Sequence, residues 1–208
     1  MKEIMTIHGI IFDIGGVLEI TPDLGVTAKW EQRLQLAPGE LNERLRNVWR
    51  DGSLRIISEV GVHQHIREIM GMSDAQVNTF MDDIWQEYLG SLNRELVEYF
   101  RSLRPKYRTA ILSNSFVGAR EREQAIYHFD EICDFIIYSH EIGMSKPDPR
   151  IYALTCERLA LSPAQVVFLD DYPGAIDAAC EFGIHGILFH NTAQAIADIQ
   201  VCIQANGS

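Results

Sequence analysis

Residues 9–18 read GIIFDIGGVL, an apolar run followed by one acidic residue and a pair of glycines. A short run such as Gly9 to Phe12, rich in β-branched residues, is typical of a strand buried on both faces of a parallel sheet. Asp13 follows at the carboxyl edge, where open α/β sheets bind their ligands. Gly15 and Gly16 permit a sharp turn and close approach to a ligand. The stretch predicts a first strand that presents a reactive carboxylate, with an ordinary exposed aspartate as the alternative.

Further short apolar runs predict the other strands of this sheet. They are Thr109 to Leu112, Phe135 to Tyr138, Val166 to Leu169 and Gly186 to Phe189. Helical patterns lie at Glu95 to Leu103, Pro149 to Leu159 and Ala175 to Phe182. Because strands alternate with helices, we expect the α/β fold class, with a parallel sheet covered by helices on both faces.

The stretch from about Thr21 to Leu92 breaks this alternation. Its apolar residues recur every three or four positions, which is typical of helices, as at Phe80, Ile84, Trp85 and Tyr88. We expect turns between helices at Asp51-Gly52-Ser53 and Gly71-Met72-Ser73. The pattern predicts a helical domain at residues 21–92, inserted into a core formed by residues 1–20 and 93–208.

Two further segments place polar groups after predicted strands or in the loops beyond them. Ser113 and Asn114 follow the second strand, where they could donate hydrogen bonds to phosphate oxygens or simply start a helix. Lys146 lies in a loop that two prolines stiffen. Its ammonium group could neutralise a nucleophile and a phosphate, or it could be a solvated surface lysine.

The fourth predicted strand ends in two adjacent carboxylates, Asp170 and Asp171. Their mutual repulsion would be relieved by a bound cation, and hard oxygen ligands suit Mg²⁺. An acidic surface turn is the alternative. The pair therefore indicates a candidate metal site at the same edge as Asp13.

The order Asp13, Ser113, Lys146 and Asp170-Asp171 resembles the motif order of the haloacid dehalogenase-like superfamily. The segments KPDPRIY at 146–152 and FLDD at 168–171 are similar to small sugar phosphatases and to the N-terminal phosphatase domain of soluble epoxide hydrolases. The resemblance covers nearly the whole chain. It implies a Rossmann-like core with an α-helical cap inserted after the first motif.

The resemblance also implies a Mg²⁺-dependent phosphatase that acts on a small phosphorylated metabolite, with sugar phosphates as the expected class. Catalysis would use Asp13, which forms an aspartyl-phosphate, and Lys146, which neutralises charge. Phosphoryl binding would fall to Ser113, Asn114 and Lys146. The implied metal ligands are Asp13, the Gly15 carbonyl, Asp170 and Asp171.

Two positions depart from the family pattern. Active relatives usually carry a second aspartate two residues after the nucleophile, and here that residue is Gly15. Since general acid–base catalysis contributes about 10²–10⁴-fold, we expect slow or specialised turnover. Glu19 could supply the proton from the following loop, although a solvated surface position is the stronger expectation for it. Ala175 also replaces an asparagine that relatives often carry, which removes one support of the metal loop.

The composition of the chain indicates which classes of binding partner are expected. The formal net charge of −11 disfavours nucleic acid and anionic membranes, and no apolar run reaches the length of a membrane span. The four cysteines form no CxxC pair, and no signal peptide is evident, so we expect a cytoplasmic location. The partner would be a small phosphorylated molecule. The sequence carries no readable signal for the oligomeric state.

Two rival functions remain open at this point. A 2-haloacid dehalogenase also attacks with an aspartate and lacks the second one, but it needs no metal, so the paired acids favour phosphoryl transfer. The second rival is a catalytically degenerate protein with a metal-binding or regulatory role. The absence of the second aspartate at Gly15 favours it, whereas the presence of Asp13, Lys146 and Asp171 argues against it.

Overall fold

A computed structural model describes residues 6–204 of the chain. The strands are β1 (Gly9–Phe12), β2 (Glu19–Ile20), β3 (Ser91–Leu92), β4 (Arg108–Ser113), β5 (Phe135–Tyr138), β6 (Val166–Asp170) and β7 (His185–Leu188). The helices are α1 (Val26–Leu34), α2 (Glu40–Ser53), α3 (Glu59–Met70), α4 (Asp74–Leu89), α5 (Arg94–Ser102), α6 (Ala119–Tyr127), α7 (Ser139–Ile142), α8 (Pro149–Leu159), α9 (Pro173–Phe182) and α10 (Thr192–Gln204).

The central sheet is parallel and has five strands in the order β5-β4-β1-β6-β7. This confirms the predicted α/β class and the predicted strands, with β7 starting one residue before the expected run. The short β2–β3 pair and helices α6 and α10 were not anticipated. None of the described helices is both long enough and apolar enough to cross a lipid bilayer.

Both faces of the sheet are buried, as a continuous apolar strand requires. Alternate side chains of β1 point to opposite sides: Ile10 and Phe12 join the hydrophobic cluster that includes α5 and α10. Ile11 joins the cluster that includes α8 and α9. Phe12 stacks on Phe100 of α5 with ring centroids 4.3 Å apart. The two clusters hold β1 rigidly at the centre of the sheet.

The strand register brings the chemistry together at the carboxyl edge. Phe12 pairs with Ile111 of β4 on one side and with Leu169 of β6 on the other. The next residues are therefore neighbours: the Asp13 amide donates a hydrogen bond to the Leu169 carbonyl, and Asp170 follows Leu169 directly. The parallel register therefore places Asp13 and Asp170 side by side at the carboxyl edge of the sheet.

Helices α1–α4 lie between β2 and β3, which form an antiparallel pair. These four helices share a hydrophobic cluster, which also includes Val117 and Ala119 at the start of α6. The division into a core of 1–20 and 93–208 and an insertion of 21–92 stays a prediction, and the β2–β3 pair lies where the two would join. Residues 1–5 and 205–208 of that core lie outside the described residues.

One expected turn is wrong and the other is confirmed. Gly71 ends α3 and Ser73 caps α4, as predicted. Asp51-Gly52-Ser53 instead forms the last turn of α2. A Cβ at Gly52 would lie 2.2 Å from the Phe116 ring, so glycine is needed here for close packing rather than for a turn.

We predict that Leu96→Ala in α5 lowers the free energy of unfolding by about 2–5 kcal/mol, because it leaves a cavity in a fully buried cluster. Leu24→Ala is the matched control, since that side chain is 48% exposed and its truncation should change stability by less than about 0.5 kcal/mol. Urea denaturation of both variants measures the difference. Equal effects of the two changes would contradict this packing.

Candidate active site

A buried lysine joins the two carboxylates at the sheet edge. The Lys146 ammonium nitrogen lies 2.8 Å from Asp13 Oδ1 and 2.5 Å from Asp170 Oδ2. All three residues are buried. A lone charge in such a place would be strongly destabilising, whereas the bridged arrangement compensates each charge with a partner. The structure thus places Asp13, Lys146 and Asp170 together, as the sequence predicted.

Burial and ion pairing have opposite effects on the pKa values of Asp13 and Lys146. Burial lowers the pKa of Lys146, but the charges of Asp13 and Asp170 outweigh it and raise that pKa above its ordinary value. Burial raises the pKa of Asp13 to about 7, against the lowering effect of Lys146. The Lys146 ammonium group and the Asp13 carboxylate therefore stabilise each other's charged forms, whereas burial opposes both.

Asp171 completes a cluster of three acids. Single oxygens of Asp13, Asp170 and Asp171 all lie within 4.8 Å of one another. Gly16 makes this possible, because it has a φ of +72° and a Cβ there would lie 2.0 Å from Asp171 Oδ2. Three carboxylates against one ammonium group leave an excess of negative charge. This set of hard oxygen donors fits a divalent cation such as Mg²⁺.

The loop that carries Lys146 is held by Asn114. The Asn114 side-chain amide donates to the Lys146 carbonyl at 2.9 Å, and its oxygen accepts from the Lys146 amide at 2.8 Å. The Asn114 side chain is thus committed to positioning the lysine, which leaves its backbone N–H as the group for a ligand. Ser113 is buried as the last residue of β4.

A cavity of about 290 Å³ opens beside the triad. Its lining residues come from the sheet edge, from the loop after β1 and from the helical insertion: Asp13, Gly15, Glu19, Thr21, Tyr88, Asn114, Lys146, Asp170, Asp171 and Tyr172. Every predicted site residue except Ser113 is among them. The cavity is large enough for a phosphoryl group and part of the molecule that carries it.

Glu19 is the main correction to the sequence analysis. The expectation of a solvated surface position is wrong, because Glu19 is 0% exposed. It lies on β2, lines the same cavity as Asp13, and neither carboxylate oxygen has a hydrogen-bond partner among the described residues. Burial raises its pKa to about 10, helped by the nearby charges of Glu123 and Asp13. The sequence gives no sign of this burial because β2 is only two residues long.

Glu123 is a second buried acid that the sequence did not reveal. It is fully buried on α6, and Tyr138 donates a 2.6 Å hydrogen bond to its Oε2. Burial raises the pKa of Glu123 to about 7. It belongs to a polar stretch, AREREQ, that reads as an exposed helix face, so only the packed structure shows it. Glu123 does not line the cavity beside Asp13.

The tryptophan and the two arginines at positions 49, 50 and 55 lie in different places. Trp49 lines a second cavity, next to the first. Arg50 pairs with Asp51 at the surface, and Arg55 lines a separate cavity with His140. Tyr88, which periodicity suggested only as a packing residue, lines both the first and the second cavity.

Comparison with known proteins adds a family match and several relatives. The sequence model of the haloacid dehalogenase-like hydrolases matches residues 7–183. Bifunctional epoxide hydrolase 2 of Sus scrofa is 28% identical over 214 residues, which cover 94% of this chain and 39% of that protein. D-ribitol-5-phosphate phosphatase of Bacteroides thetaiotaomicron is 23% identical over 211 residues, covering 96% of this chain and 100% of that protein.

A solved structure of similar fold is that of a HAD family enzyme from Bacteroides thetaiotaomicron, in complex with magnesium and inorganic phosphate. Its TM-score is 0.74 with 22% sequence identity, over 88% of this chain and 94% of that one. The likeness shows a shared fold. The chain spans only about two fifths of the length of the pig epoxide hydrolase.

We predict that Lys146→Met destabilises the protein by about 3–5 kcal/mol in EDTA at pH 7, because two buried carboxylates lose their counter-charge. Adding Asp170→Asn to that variant should restore part of the loss, since one uncompensated charge is removed. Urea unfolding of the two single variants and the double variant measures the coupling. Strictly additive effects would mean that the two groups do not interact.

Proposed function

The chain belongs to the haloacid dehalogenase-like hydrolase family, and from this premise we propose that it is a Mg²⁺-dependent phosphatase of small phosphorylated metabolites. One observation carries the proposal: a buried ammonium group lies between Asp13 and a cluster of acids, beside a cavity of phosphoryl size. A carboxylate nucleophile, a fixed cation and a metal-binding acid set are what phosphoryl transfer through an aspartate needs.

Asp13 would attack phosphorus, and the bond from phosphorus to the leaving oxygen would break. This gives an aspartyl-phosphate and, once an acid has given the leaving oxygen a proton, an alcohol. Water would then release phosphate and regenerate Asp13. Lys146 lies 2.8 Å from Asp13 Oδ1 and would neutralise charge as the anionic phosphoryl group approaches. Because Lys146 is fixed by Asn114 and Asp170, its charge is already oriented before the substrate arrives.

Asp13, the Gly15 carbonyl, Asp170 and Asp171 would hold Mg²⁺. When bound, the ion would offset the excess negative charge of the acid cluster and of the phosphoryl oxygens. Asp170 already accepts hydrogen bonds from Lys146 and from the Tyr172 backbone, so the less engaged Asp171 is the better candidate for the main ligand. The Asn114 backbone N–H, directly after β4, would hold phosphoryl oxygens. The same role for the Ser113 hydroxyl has no support from the cavity, because Ser113 is buried and does not line it.

Glu19 is our candidate for the proton transfer that Gly15 cannot perform. Glu19 is among the residues that line the cavity of Asp13, and both of its carboxyl oxygens are buried without a hydrogen-bond partner among the described residues. A buried carboxyl group with no internal partner is suited to exchanging a proton with a bound leaving group or water. This role replaces the sequence expectation of a solvated side chain.

The cluster of Asp13, Asp170 and Asp171 favours a phosphatase over a dehalogenase. A metal-free reaction at carbon has no use for three carboxylates within 4.8 Å of one another. The relative named for D-ribitol 5-phosphate and the neighbour solved with magnesium and phosphate give further support. The cytoplasmic location and the sugar phosphate class stay predictions.

We predict Mg²⁺-dependent release of phosphate from a panel of phosphate monoesters, with activity lost in EDTA and restored by added Mg²⁺. Asp13→Asn should lower the turnover number by at least about 10³-fold, because an amide cannot act as the nucleophile. A colorimetric phosphate assay measures both effects. The mechanism would be contradicted by an Asp13→Asn protein as active as the parent, and chloride release from a 2-haloacid in EDTA would favour the dehalogenase.

We predict that Glu19→Gln lowers the turnover number by about 10²-fold or more, because the amide keeps the shape but cannot transfer the proton. Glu31→Gln is the matched control, since Glu31 is also a buried acid but lies on α1 and does not line the cavity, and it should stay within about threefold of the parent. Steady-state kinetics at saturating Mg²⁺ measures both. Equal losses in the two variants would assign Glu19 a structural role instead.

A further inference from the structure

A second cavity, of about 410 Å³, lies between the inserted helices and the sheet edge. It adjoins the cavity of Asp13, because Tyr88 and Asn114 line both. Its lining residues come from α2, α4, the loop after β4 and the segment before Lys146: Leu41, Asn42, Trp49, Ser53, Ile84, Trp85, Tyr88, Asn114, Ser115, Phe116, Ser139 and Ser145. A phosphate ester with its phosphoryl group beside Asp13 would extend its organic part into this space.

Aromatic rings form the walls of this cavity. Phe116 meets Trp49 at 5.8 Å and 66°, and it meets Trp85 at 6.2 Å. Trp85 meets Tyr88 edge-on at 5.2 Å. The residues Trp49, Phe116 and Tyr88 are only half-buried, so parts of their rings remain available to a ligand. Edge-to-face arrangements of this kind complement flat apolar groups.

Three polar side chains of this cavity have hydrogen-bond partners within the protein, and Asn42, Ser53 and Ser145 also line it. The Ser115 hydroxyl lies 2.7 Å from His140 Nδ1, and the Ser139 hydroxyl accepts a hydrogen bond from the Ser115 amide. Asn114 uses both ends of its amide on the Lys146 backbone. None of the described lining residues carries a formal charge. The part of the wall formed by Trp49 and Phe116 therefore offers aromatic surface and no charged partner to the organic group of a ligand.

We propose that the substrate is a phosphate monoester whose alcohol carries a flat, apolar ring system, in place of the sugar phosphate that the sequence resemblance implied. The inference rests on the proposed phosphatase function and names the substrate class for the same site. The ring system would lie against Trp49 and Phe116. A cavity of this size takes a ring system of two or three fused rings.

The test compares three esters of primary alcohols: 2-(2-naphthyl)ethyl phosphate, ethyl phosphate and ribitol 5-phosphate. Their leaving groups are of similar reactivity, so differences in kcat/KM report contacts with the alcohol. We expect kcat/KM for the naphthylethyl ester to exceed the other two by at least about 30-fold. Values within about threefold, or a preference for ribitol 5-phosphate, would overturn the inference while leaving the phosphatase function intact.

Variants locate the contact. Trp49→Ala should lower kcat/KM for the naphthylethyl ester by about tenfold or more and change that for ethyl phosphate by less than threefold. Met70→Ala is the control, since Met70 packs on the same hydrophobic cluster without lining the cavity. An equal loss on both esters in Trp49→Ala, or the same pattern in Met70→Ala, would overturn the assignment of this wall.

Binding of phosphonates that cannot be hydrolysed tests the cavity assignment independently of the phosphatase function. Isothermal titration calorimetry with 2-(2-naphthyl)ethylphosphonate and ethylphosphonate, which cannot be hydrolysed, measures the contact without turnover. Tighter binding of the naphthyl compound by at least tenfold, weakened by Trp49→Ala, supports the cavity assignment even if no ester is hydrolysed, in which case only the phosphatase function fails. Equal affinities would overturn the cavity assignment.

Discussion

The ion pairs between Lys146 and the buried carboxylates of Asp13 and Asp170 are the constraint on which the rest of the site depends. Three separate segments must meet for these pairs to form: the end of β1, the end of β6 and the loop before α8. Parallel register brings the two acids together, and the resulting repulsion makes the lysine necessary. The Asn114 side chain holds the lysine in place, because its amide group makes two hydrogen bonds with the Lys146 backbone. Stability and chemistry therefore rest on one set of contacts.

The arrangement leaves charge to be balanced by a ligand. With Asp171 added, three acids face one ammonium group, and Glu19 lies in the same cavity without a partner. A cation at the acid cluster and a proton on Glu19 would each relieve part of this excess. Beyond Tyr88 the surroundings change, because the next cavity is aromatic and uncharged. In the proposed function, the strongly polar end would carry the reaction and the aromatic end would bind the rest of the substrate.

The sheet and its acid edge were predictable because their signals are local. Strands such as GIIF and VVFLD are continuous apolar runs that end in the reactive residues, and the helix Pro149–Leu159 begins at a proline and matches its predicted bounds. Glu19 and Glu123 were not predictable, since their burial depends on distant packing rather than on their neighbours in sequence. Gly52 was misassigned for the same reason: its glycine serves the contact with Phe116, sixty-four positions away, and not a turn. The roles of the site residues remain proposals.

The most direct measurement of the central claim is the exchange of oxygen between phosphate and water, which needs no knowledge of the substrate. If Asp13 attacks inorganic phosphate and expels water, and the aspartyl-phosphate is then hydrolysed, phosphate labelled with ¹⁸O loses its label to the solvent. Phosphorus NMR resolves the labelled species. We expect loss of label that requires Mg²⁺ and disappears in Asp13→Asn. Exchange that continues in Asp13→Asn, or hydrolysis of esters by the parent with no exchange at all, would contradict covalent phosphoryl transfer through this carboxylate.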